Sequence, residues 1–189
     1  MRLLVLFSAA VLSLSQLGEA AIIFSLSPAT QSIVQGTVGQ FDLSVRTDVA
    51  GGQRIDGLEA NIVSNASNSL FTVASQSLLL NNGAIDRSTP GQAFISNFLA
   101  GGISLGTTDT LFARLFLSTT NVALGNYTMS LNQLAANSPT LAGLPIQNGG
   151  TVSFTVVPEP TSMALVALVV SGLGMCRFVK RKKSEKVGQ

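Results

Sequence analysis

The sequence predicts an all-β protein, an antiparallel β-sandwich of about eight or nine strands that is flanked by two ends outside the domain. Two observations carry this prediction. Short segments alternate between apolar and polar residues, and glycine, asparagine and proline residues separate these segments at short intervals. No amphipathic pattern long enough for a helix of about ten residues lies between residues 21 and 157. We therefore expect a single sandwich domain over residues 21–157.

The clearest alternation is in the last segment, 151–157, where Val152, Phe154 and Val156 are separated by threonine and serine. Segment 110–118 has apolar residues on both faces, which predicts an interior strand. The other predicted strands are 22–27, which ends at Pro28, 38–47, 55–63, 70–73, 93–99 and 126–134. Residues 75–82 are predicted as a helical turn or a loop. Four phenylalanines are expected in the core: Phe41, Phe112, Phe116 and Phe154.

The formal net charge of +2 belongs to the whole chain, and residues 21–157, called the body here, are slightly acidic. Residues 21–157 contain six acidic residues, four arginines and no lysine, so the positive charge is concentrated in the C-terminal tail. A nucleic-acid-binding surface needs clustered cations for phosphate contacts. We therefore expect no nucleic-acid partner.

The absence of histidine restricts the chemistry that the body can perform. It excludes Ser-His-Asp and Cys-His catalytic units and the usual zinc and iron ligand sets. Three acids, Asp48, Asp56 and Glu59, leave two alternatives, which are glycoside hydrolysis by paired carboxylates and calcium binding. They also fit scattered surface acids paired with Arg46 or Arg54. We predict this last arrangement, and hence no enzyme, no metal site and no cofactor, with calcium kept as the alternative.

The first 20 residues have the layout of a secretory signal peptide. A single cation precedes an apolar stretch, and Gly18 and Ala20 place small residues where a signal peptidase requires them. The predicted cut follows Ala20. A signal anchor that stays in the membrane is the alternative.

The C-terminal end combines an apolar run with a cluster of cations. Residues 161–176 carry no charge, and extension to residue 179 includes Arg177, whose long side chain can reach the membrane interface. The segment 161–179 is just long enough to span a bilayer as a helix. The basic cluster consists of Arg177, Lys180, Arg181, Lys182 and Lys183. Because cations stay on the cytoplasmic side, the tail 180–189 is predicted inside and the body outside. A buried core helix with a solvated tail is the alternative.

Two prolines flank a glutamate just before this apolar run, at Pro158, Glu159 and Pro160. Proline keeps such a segment extended and removes backbone donors. Together with the run and the basic end, the segment 158–189 resembles the PEP-CTERM sorting signal of Gram-negative bacteria that produce exopolysaccharide. The resemblance implies recognition by an exosortase, a membrane-embedded transpeptidase, and removal of the helix. The tail is longer than usual in that family. A proline-rich spacer before a permanent anchor is the alternative.

Three stretches of the body carry a second resemblance: LSPATQSIVQGTVGQFDLSVRTD, TLFARLFLSTTNVALGNYTMSL and NGGTVSFTV. Their turns contain the motifs at 36–41, 125–127 and 148–149. This layout resembles bacterial cohesin-type domains, which implies a nine-stranded jelly-roll sandwich. The motifs are general features of β-sandwiches, so we carry over the architecture and no binding residue.

These features together predict an exported, non-enzymatic protein with a structural or adhesive role. It is expected to meet a signal peptidase, to be anchored first in the inner membrane through its helix, and to be passed by an exosortase to the cell surface or extracellular matrix. Exopolysaccharide and other surface proteins are the expected partners there. The alternative is a permanently anchored binding module with a cohesin-like, calcium-dependent ligand site.

Overall fold

The computed structural model describes residues 21–74, 85–139 and 143–160, and the regular structure in these ranges is built from eleven strands. They are β1 (Ile22–Ser27), β2 (Thr30–Val34), β3 (Val38–Thr47), β4 (Gln53–Ser64), β5 (Leu70–Ala74), β6 (Ile85–Thr89), β7 (Gln92–Leu105), β8 (Thr110–Ser118), β9 (Gly125–Asn137), β10 (Ile146–Asn148) and β11 (Thr151–Val157).

The strands form two sheets that enclose one apolar core. The five-stranded sheet has the order β10-β1-β3-β8-β5, and the six-stranded sheet has the order β2-β11-β9-β4-β7-β6. The two sheets meet where Phe41 of β3 packs edge-on against Phe154 of β11, with ring centroids 6.1 Å apart. Aromatic rings prefer this offset or edge-on geometry, and full burial of such rings is a main source of stability. The predicted sandwich is therefore confirmed.

Both sheets are mixed rather than purely antiparallel, which corrects the prediction. β1 runs parallel to β10, and β2 runs parallel to β11. The first apolar segment is divided at Pro28, after which the chain crosses from one sheet to the other, and the last segment is divided in the same way before Thr151. Since proline cannot donate to a strand ladder, Pro28 is a natural crossing point. Period-2 patterns identify strands but carry no information on the direction of their neighbours.

The strands with strong alternation were predicted well. β1, β3, β8 and β11 have the predicted bounds, and β8 is an interior strand between β3 and β5. β7 and β9 continue beyond the predicted bounds, to Leu105 and Asn137, through glycine and alanine residues that interrupt the alternation. The strands that the pattern missed, β2, β6 and β10, are three to five residues long and mostly polar. β2, for example, buries only Ile33, so pairing with β11 determines that it is a strand.

Phe116 does not lie in the core, which corrects a second prediction. A bulge in the pairing of β3 with β8 shifts the register between Ala113 and Leu111, so that Phe112 and the odd-numbered residues after it face inward. Phe116 therefore lies half-buried on the outer face, between Gln40 and Thr72 on the neighbouring strands. The other three predicted phenylalanines, Phe41, Phe112 and Phe154, are buried as expected.

Several predicted features lie outside the described residues. These are the predicted signal peptide 1–20, the predicted helical turn or loop 75–82, the predicted helix 161–179 and the basic cluster from Arg177 to Lys183. In the three described ranges, no helix has the length and apolar content needed to cross a bilayer.

The sandwich has two ends with different connections. One end, called the exit end here, contains residues 35–38, 65–70, 119–124 and 158–160, where the chain leaves β11. The other end, called the far end, contains Ala21 and the connections 48–52 and 106–109. Because β3 spans ten residues between these ends, they are about 30 Å apart.

Candidate functional site

The Pro-Glu-Pro motif begins immediately after the last core strand. β11 pairs with β2 as far as Val157, whose carbonyl oxygen accepts a hydrogen bond from the backbone N–H of Gln35 at 2.9 Å. Pro158 is half-buried, whereas Glu159 and Pro160 are exposed. No flexible linker separates the motif from the folded body, so the body fixes the position of its first residue.

The motif borders a shallow depression at the exit end. Its lining consists of Gln35, Gly36, Thr120, Leu124, Pro158 and Glu159. Gly36 has a φ of 81°, which only glycine adopts readily, and a Cβ atom there would lie 4.0 Å from Glu159 Oε1. The β2–β3 turn and the β8–β9 loop therefore form the surface beside the glutamate.

Hydrogen bonds tie that turn and that loop together. The buried Thr119 hydroxyl lies 3.0 Å from both the Val34 and the Thr37 carbonyl oxygens. The Gln35 side-chain amide donates to the Val122 carbonyl oxygen at 2.8 Å, and the Val122 side chain is buried. The same two carbonyl oxygens also accept from the Thr37 and Thr119 backbone N–H groups, so the hydroxyl adds to an existing set of hydrogen bonds between the turn and the loop. The Pro-Glu-Pro motif thus begins beside a turn and a loop that hydrogen bonds hold together.

The exit end is nearly free of charge and presents three exposed aliphatic side chains among neutral polar residues. Of the four large hydrophobic side chains exposed in the described part of the chain, three lie here: Val38 (58% exposed), Leu70 (49%) and Leu124 (49%). Val38 and Leu70 both pair with Ser118, one from each side. The stretches 30–41, 64–74, 88–93, 115–136 and 150–158 contain no charged residue. Glu159 is therefore the charge at this end among the described side chains, whereas Asp42 lies four residues along β3 from Val38, and Arg87 lies on β6 at the sheet edge opposite β2.

The far end is charged and holds the N-terminal residue of the body. The backbone nitrogen of Ala21 donates to Asp48 Oδ1 at 2.8 Å, and the Asp48 N–H donates to the Ala21 carbonyl oxygen at 3.2 Å. Ala21 is buried. An ion pair joins Arg46 to Asp109 at 3.4 Å. Sequence reasoning missed this reciprocal contact because it joins residues 27 positions apart.

The three candidate acids have separate environments. Asp48 contacts Ala21, Asp56 lies at a bulge in β4, and Glu59 accepts a hydrogen bond from the Ser96 hydroxyl at 3.1 Å on the outer face of the six-stranded sheet. Within residues 21–74, 85–139 and 143–160, no three acidic, cysteine or histidine side chains form a group that could hold a metal ion.

The expected arginine partners also differ from those in the structure. Arg46 pairs with Asp109, as described above, and Arg54 donates to the backbone carbonyl oxygen of Gly101. The prediction that these arginines pair with the candidate acids was therefore wrong. The partner of Arg54 lies on β7, the antiparallel neighbour of β4, and the partner of Arg46 lies just before β8, the antiparallel neighbour of β3. Only the register of the sheets brings these residues together.

The strongest ion pair lies between the two ends, on the outer face of the five-stranded sheet. Arg114 binds Asp42 through two parallel hydrogen bonds, of 2.8 Å from Nε and 3.0 Å from Nη2. The hydrogen bond from Arg114 holds the pKa of the Asp42 carboxyl below its ordinary value, against the opposing effect of burial. This pair crosses from β3 to β8 and supports the sheet rather than a chemical site.

The outer face of the six-stranded sheet offers a second surface. Phe98 on β7 is 69% exposed, and its cross-strand neighbour Gly57 has no side chain to cover it. Further along the same face, Asn61 joins Gln92 by a side-chain hydrogen bond of 2.9 Å. An exposed ring beside amide groups is a common composition of protein-binding surfaces.

Comparisons with known proteins agree with both parts of the chain. Residues 156–182 match the family model of the PEP-CTERM protein-sorting motif. No curated protein matches the chain in sequence at a significant level.

The body is similar to solved cohesin structures. A cohesin module from a Clostridium perfringens family 33 glycoside hydrolase has a TM-score of 0.54 at 12% identity, covering 75% of this chain and 98% of its own. A non-cellulosomal cohesin from Archaeoglobus fulgidus has a TM-score of 0.53 at 12% identity, covering 78% and 97%. The sixth cohesin of Acetivibrio cellulolyticus scaffoldin B, solved with a dockerin, has a TM-score of 0.53 at 15% identity, covering 74% and 99%.

At these identities the likeness concerns the fold alone. The motif match covers a short segment, but it coincides with the exposed residues that follow β11. The chain therefore joins a β-sandwich similar in fold to cohesins to a PEP-CTERM protein-sorting motif, the mark of an exported protein that an exosortase processes.

Proposed function

We propose that this chain is a non-enzymatic protein of the cell surface or extracellular matrix, delivered there by an exosortase through residues 158–189. The signal peptide directs export, the helix 161–179 holds the chain in the inner membrane, and cleavage near the Pro-Glu-Pro motif frees the body. The sandwich then serves a structural or adhesive role. The basic cluster, Arg177, Lys180, Arg181, Lys182 and Lys183, keeps the tail cytoplasmic before cleavage.

One observation supports this proposal most strongly. The motif follows the last core strand directly, with Glu159 and Pro160 exposed and no other part of the described chain covering them. A transpeptidase needs an extended, accessible segment, and two prolines keep the backbone extended without internal hydrogen bonds.

The geometry at Ala21 supports export through cleavage after Ala20. Removal of residues 1–20 converts the backbone nitrogen of Ala21 into an α-amino group, which is charged at neutral pH. Its partner at 2.8 Å is already the carboxylate of Asp48. The mature N-terminus therefore gains an ion pair where the longer chain has a neutral donor.

A permanently anchored binding module is the second candidate, and Phe98 favours it. A large aromatic side chain that is 69% exposed on an open sheet face is a typical anchor for a protein partner. One of the structurally similar cohesins was solved with a dockerin, so a protein ligand is the partner class to test. Calcium dependence of that binding is part of this candidate.

The experiment that tests the proposed function follows the C-terminus of the chain. An epitope is added after Gln189, and the chain is produced in its host with and without the exosortase. The proposal predicts that the epitope is lost from the body only when the exosortase is present. Retention of the epitope in both strains contradicts the proposal and favours the permanent anchor.

The second candidate has its own control. Phe98→Ala is compared with Phe94→Ala, which changes a half-buried ring on the same strand and face. Loss of a surface partner in the Phe98 variant alone, with the epitope retained, supports the anchored binding module.

A further inference from the structure

We propose that the exit end of the sandwich is a membrane-contacting surface, which rests on the polar and apolar boundary of a lipid bilayer while the chain is anchored. The inference rests on the proposed anchoring of residues 161–179. It goes further by assigning a function to side chains of the folded body, Val38, Leu70 and Leu124.

The short chain between body and membrane keeps the exit end close to the bilayer. Four residue steps separate Val157, the end of β11, from Thr161, the first residue of the apolar run, and they span at most about 14 Å. The headgroup layer of a bilayer is itself roughly 5–8 Å deep on each side. Even at full extension of these steps, the surface that borders Pro158 therefore lies within about 9 Å of that layer, and a less extended path brings it closer.

The composition of this surface suits a lipid partner. Leu124 borders the same depression as Pro158 and Glu159, and Val38 and Leu70 flank Ser118 on the adjoining strands. All three aliphatic side chains are about half exposed, so they can enter the interface without unfolding the body. Transfer of aliphatic surface area out of water is favourable, whereas a charged group brought to the same depth would lose hydration.

The distribution of charge selects the same end. Apart from Glu159, the exit end carries no charge, whereas the far end carries Asp48, the Arg46–Asp109 pair and Arg54. The exposed Arg87 lies on β6, at the edge of the six-stranded sheet opposite β2, so it stands apart from the motif. The Thr119 and Gln35 hydrogen bonds keep the apolar loop and turn in one rigid surface, which avoids an ordering cost on contact.

Because the chain contains no tryptophan, the fluorescence of a single introduced tryptophan can be measured without background from another tryptophan. Leu124→Trp and Val38→Trp place single fluorophores at the exit end. Phe98→Trp is the matched control, because Phe98 is exposed and lies six residues from the exit-end terminus of β7, about 20 Å away. Each full chain is reconstituted in phosphatidylcholine vesicles with or without lipids brominated near the headgroup, and thermal unfolding checks that each variant is folded.

The proposal predicts about twofold quenching of the Leu124→Trp and Val38→Trp emissions by brominated lipid, with a blue shift, and almost none for Phe98→Trp. Equal quenching at all three positions, or none at any of them, overturns it. Two exit-end reporters are used so that a folding defect in one variant does not decide the result.

A sorting enzyme could use the same surface, and the test separates the two partners. Leu124→Glu is produced in the host and its processing is measured. Loss of processing in this variant, with an unquenched Leu124→Trp reporter, assigns the surface to the enzyme and overturns the lipid proposal. Unquenched reporters in a chain that is processed normally overturn this inference and leave the proposed function intact. Quenched exit-end reporters in a chain that is not processed support this inference and overturn the proposed function.

Discussion

The two ends of the sandwich differ in charge, in polarity and in the event that each is proposed to undergo. At the far end, Ala21 is held by Asp48 among charged neighbours, and at the exit end the Pro-Glu-Pro motif leaves a neutral surface with three exposed aliphatic side chains. Each end therefore suits one step, the first a cut that releases a charged terminus and the second a cut at the membrane.

The two ends differ in their connections rather than in the sheets between them. The two faces of the sheets carry mixed side chains, but the loops at opposite ends are segregated by polarity. The parallel pairing of β2 with β11 directs the last strand toward the exit end, and the parallel pairing of β1 with β10 starts the body at the far end. Topology thus separates the two termini by the length of the domain.

The largest expected effect comes from the motif itself. Glu159→Gln removes the charge at the exit end without changing the side-chain shape, and we expect the processed fraction to fall about tenfold, equivalent to about 1.4 kcal/mol. Glu59→Gln is the matched control, since Glu59 is an exposed acid on a sheet face far from the motif. Immunoblotting of a C-terminal epitope measures the processed fraction. Equal processing of both variants would show that the exosortase does not require the Glu159 carboxylate.

The next effect concerns the rigidity of the exit end. Thr119→Val removes the hydroxyl that bonds the Val34 and Thr37 carbonyl oxygens, and because both oxygens keep other donors we expect a loss of about 0.5–1.5 kcal/mol in the free energy of unfolding. Thr119→Ser keeps the hydroxyl and should lose less. Urea unfolding of the body compares the two. If serine costs as much as valine or more, packing of the Thr119 methyl group contributes at least as much as its hydrogen bonds.

A smaller effect is expected at the far end. In a chain that begins at Ala21, Asp48→Asn should lower the free energy of unfolding by about 0.5–1 kcal/mol, because it removes the partner of a charged terminus. In a chain with one extra residue before Ala21, the same substitution should cost less. The difference between the two costs, measured by urea unfolding, isolates the ion pair. An identical cost in both chains would contradict its role.

The smallest effect is a dependence on pH in the middle of the sandwich. Arg114 holds the pKa of Asp42 below its unfolded value, so the pair stabilises the protein at neutral pH. That stability begins to decline as the pH falls through about 4, where the unfolded-state carboxyl takes up its proton, and it is lost once the pH has fallen through the lower pKa of the folded state. Asp42→Asn should flatten this part of the melting-temperature profile. Asp109→Asn, which removes the more open ion pair with Arg46, is the matched comparison.

The fold was predictable wherever burial imposed a period on the sequence. β3, β8 and β11 alternate because one face of each strand contacts the core, so their bounds were readable. β2 and β10 are defined by parallel pairing between the first and last segments of the chain. No local pattern encodes a partner more than 100 residues away, so these strands and the mixed sheets were not predictable.

The candidate site was partly predictable for a similar reason. The Pro-Glu-Pro motif is contiguous, and its composition and position identified it. The apolar exit end is assembled from Val38, Leu70 and Leu124, which only the folded chain brings to one end. The absence of charge from residues 30–41 and 115–136 was a readable signal, but its meaning required knowing that both stretches meet at the motif.

The most direct test of the account is the intact mass of the body isolated from the surface or medium of its native host. The account predicts a single chain that begins at Ala21 and ends near Pro160, with or without an attached group, so that both ends are processed. A mass that includes residues 161–189 would contradict it, because the helix would then be a permanent anchor and the motif only a spacer.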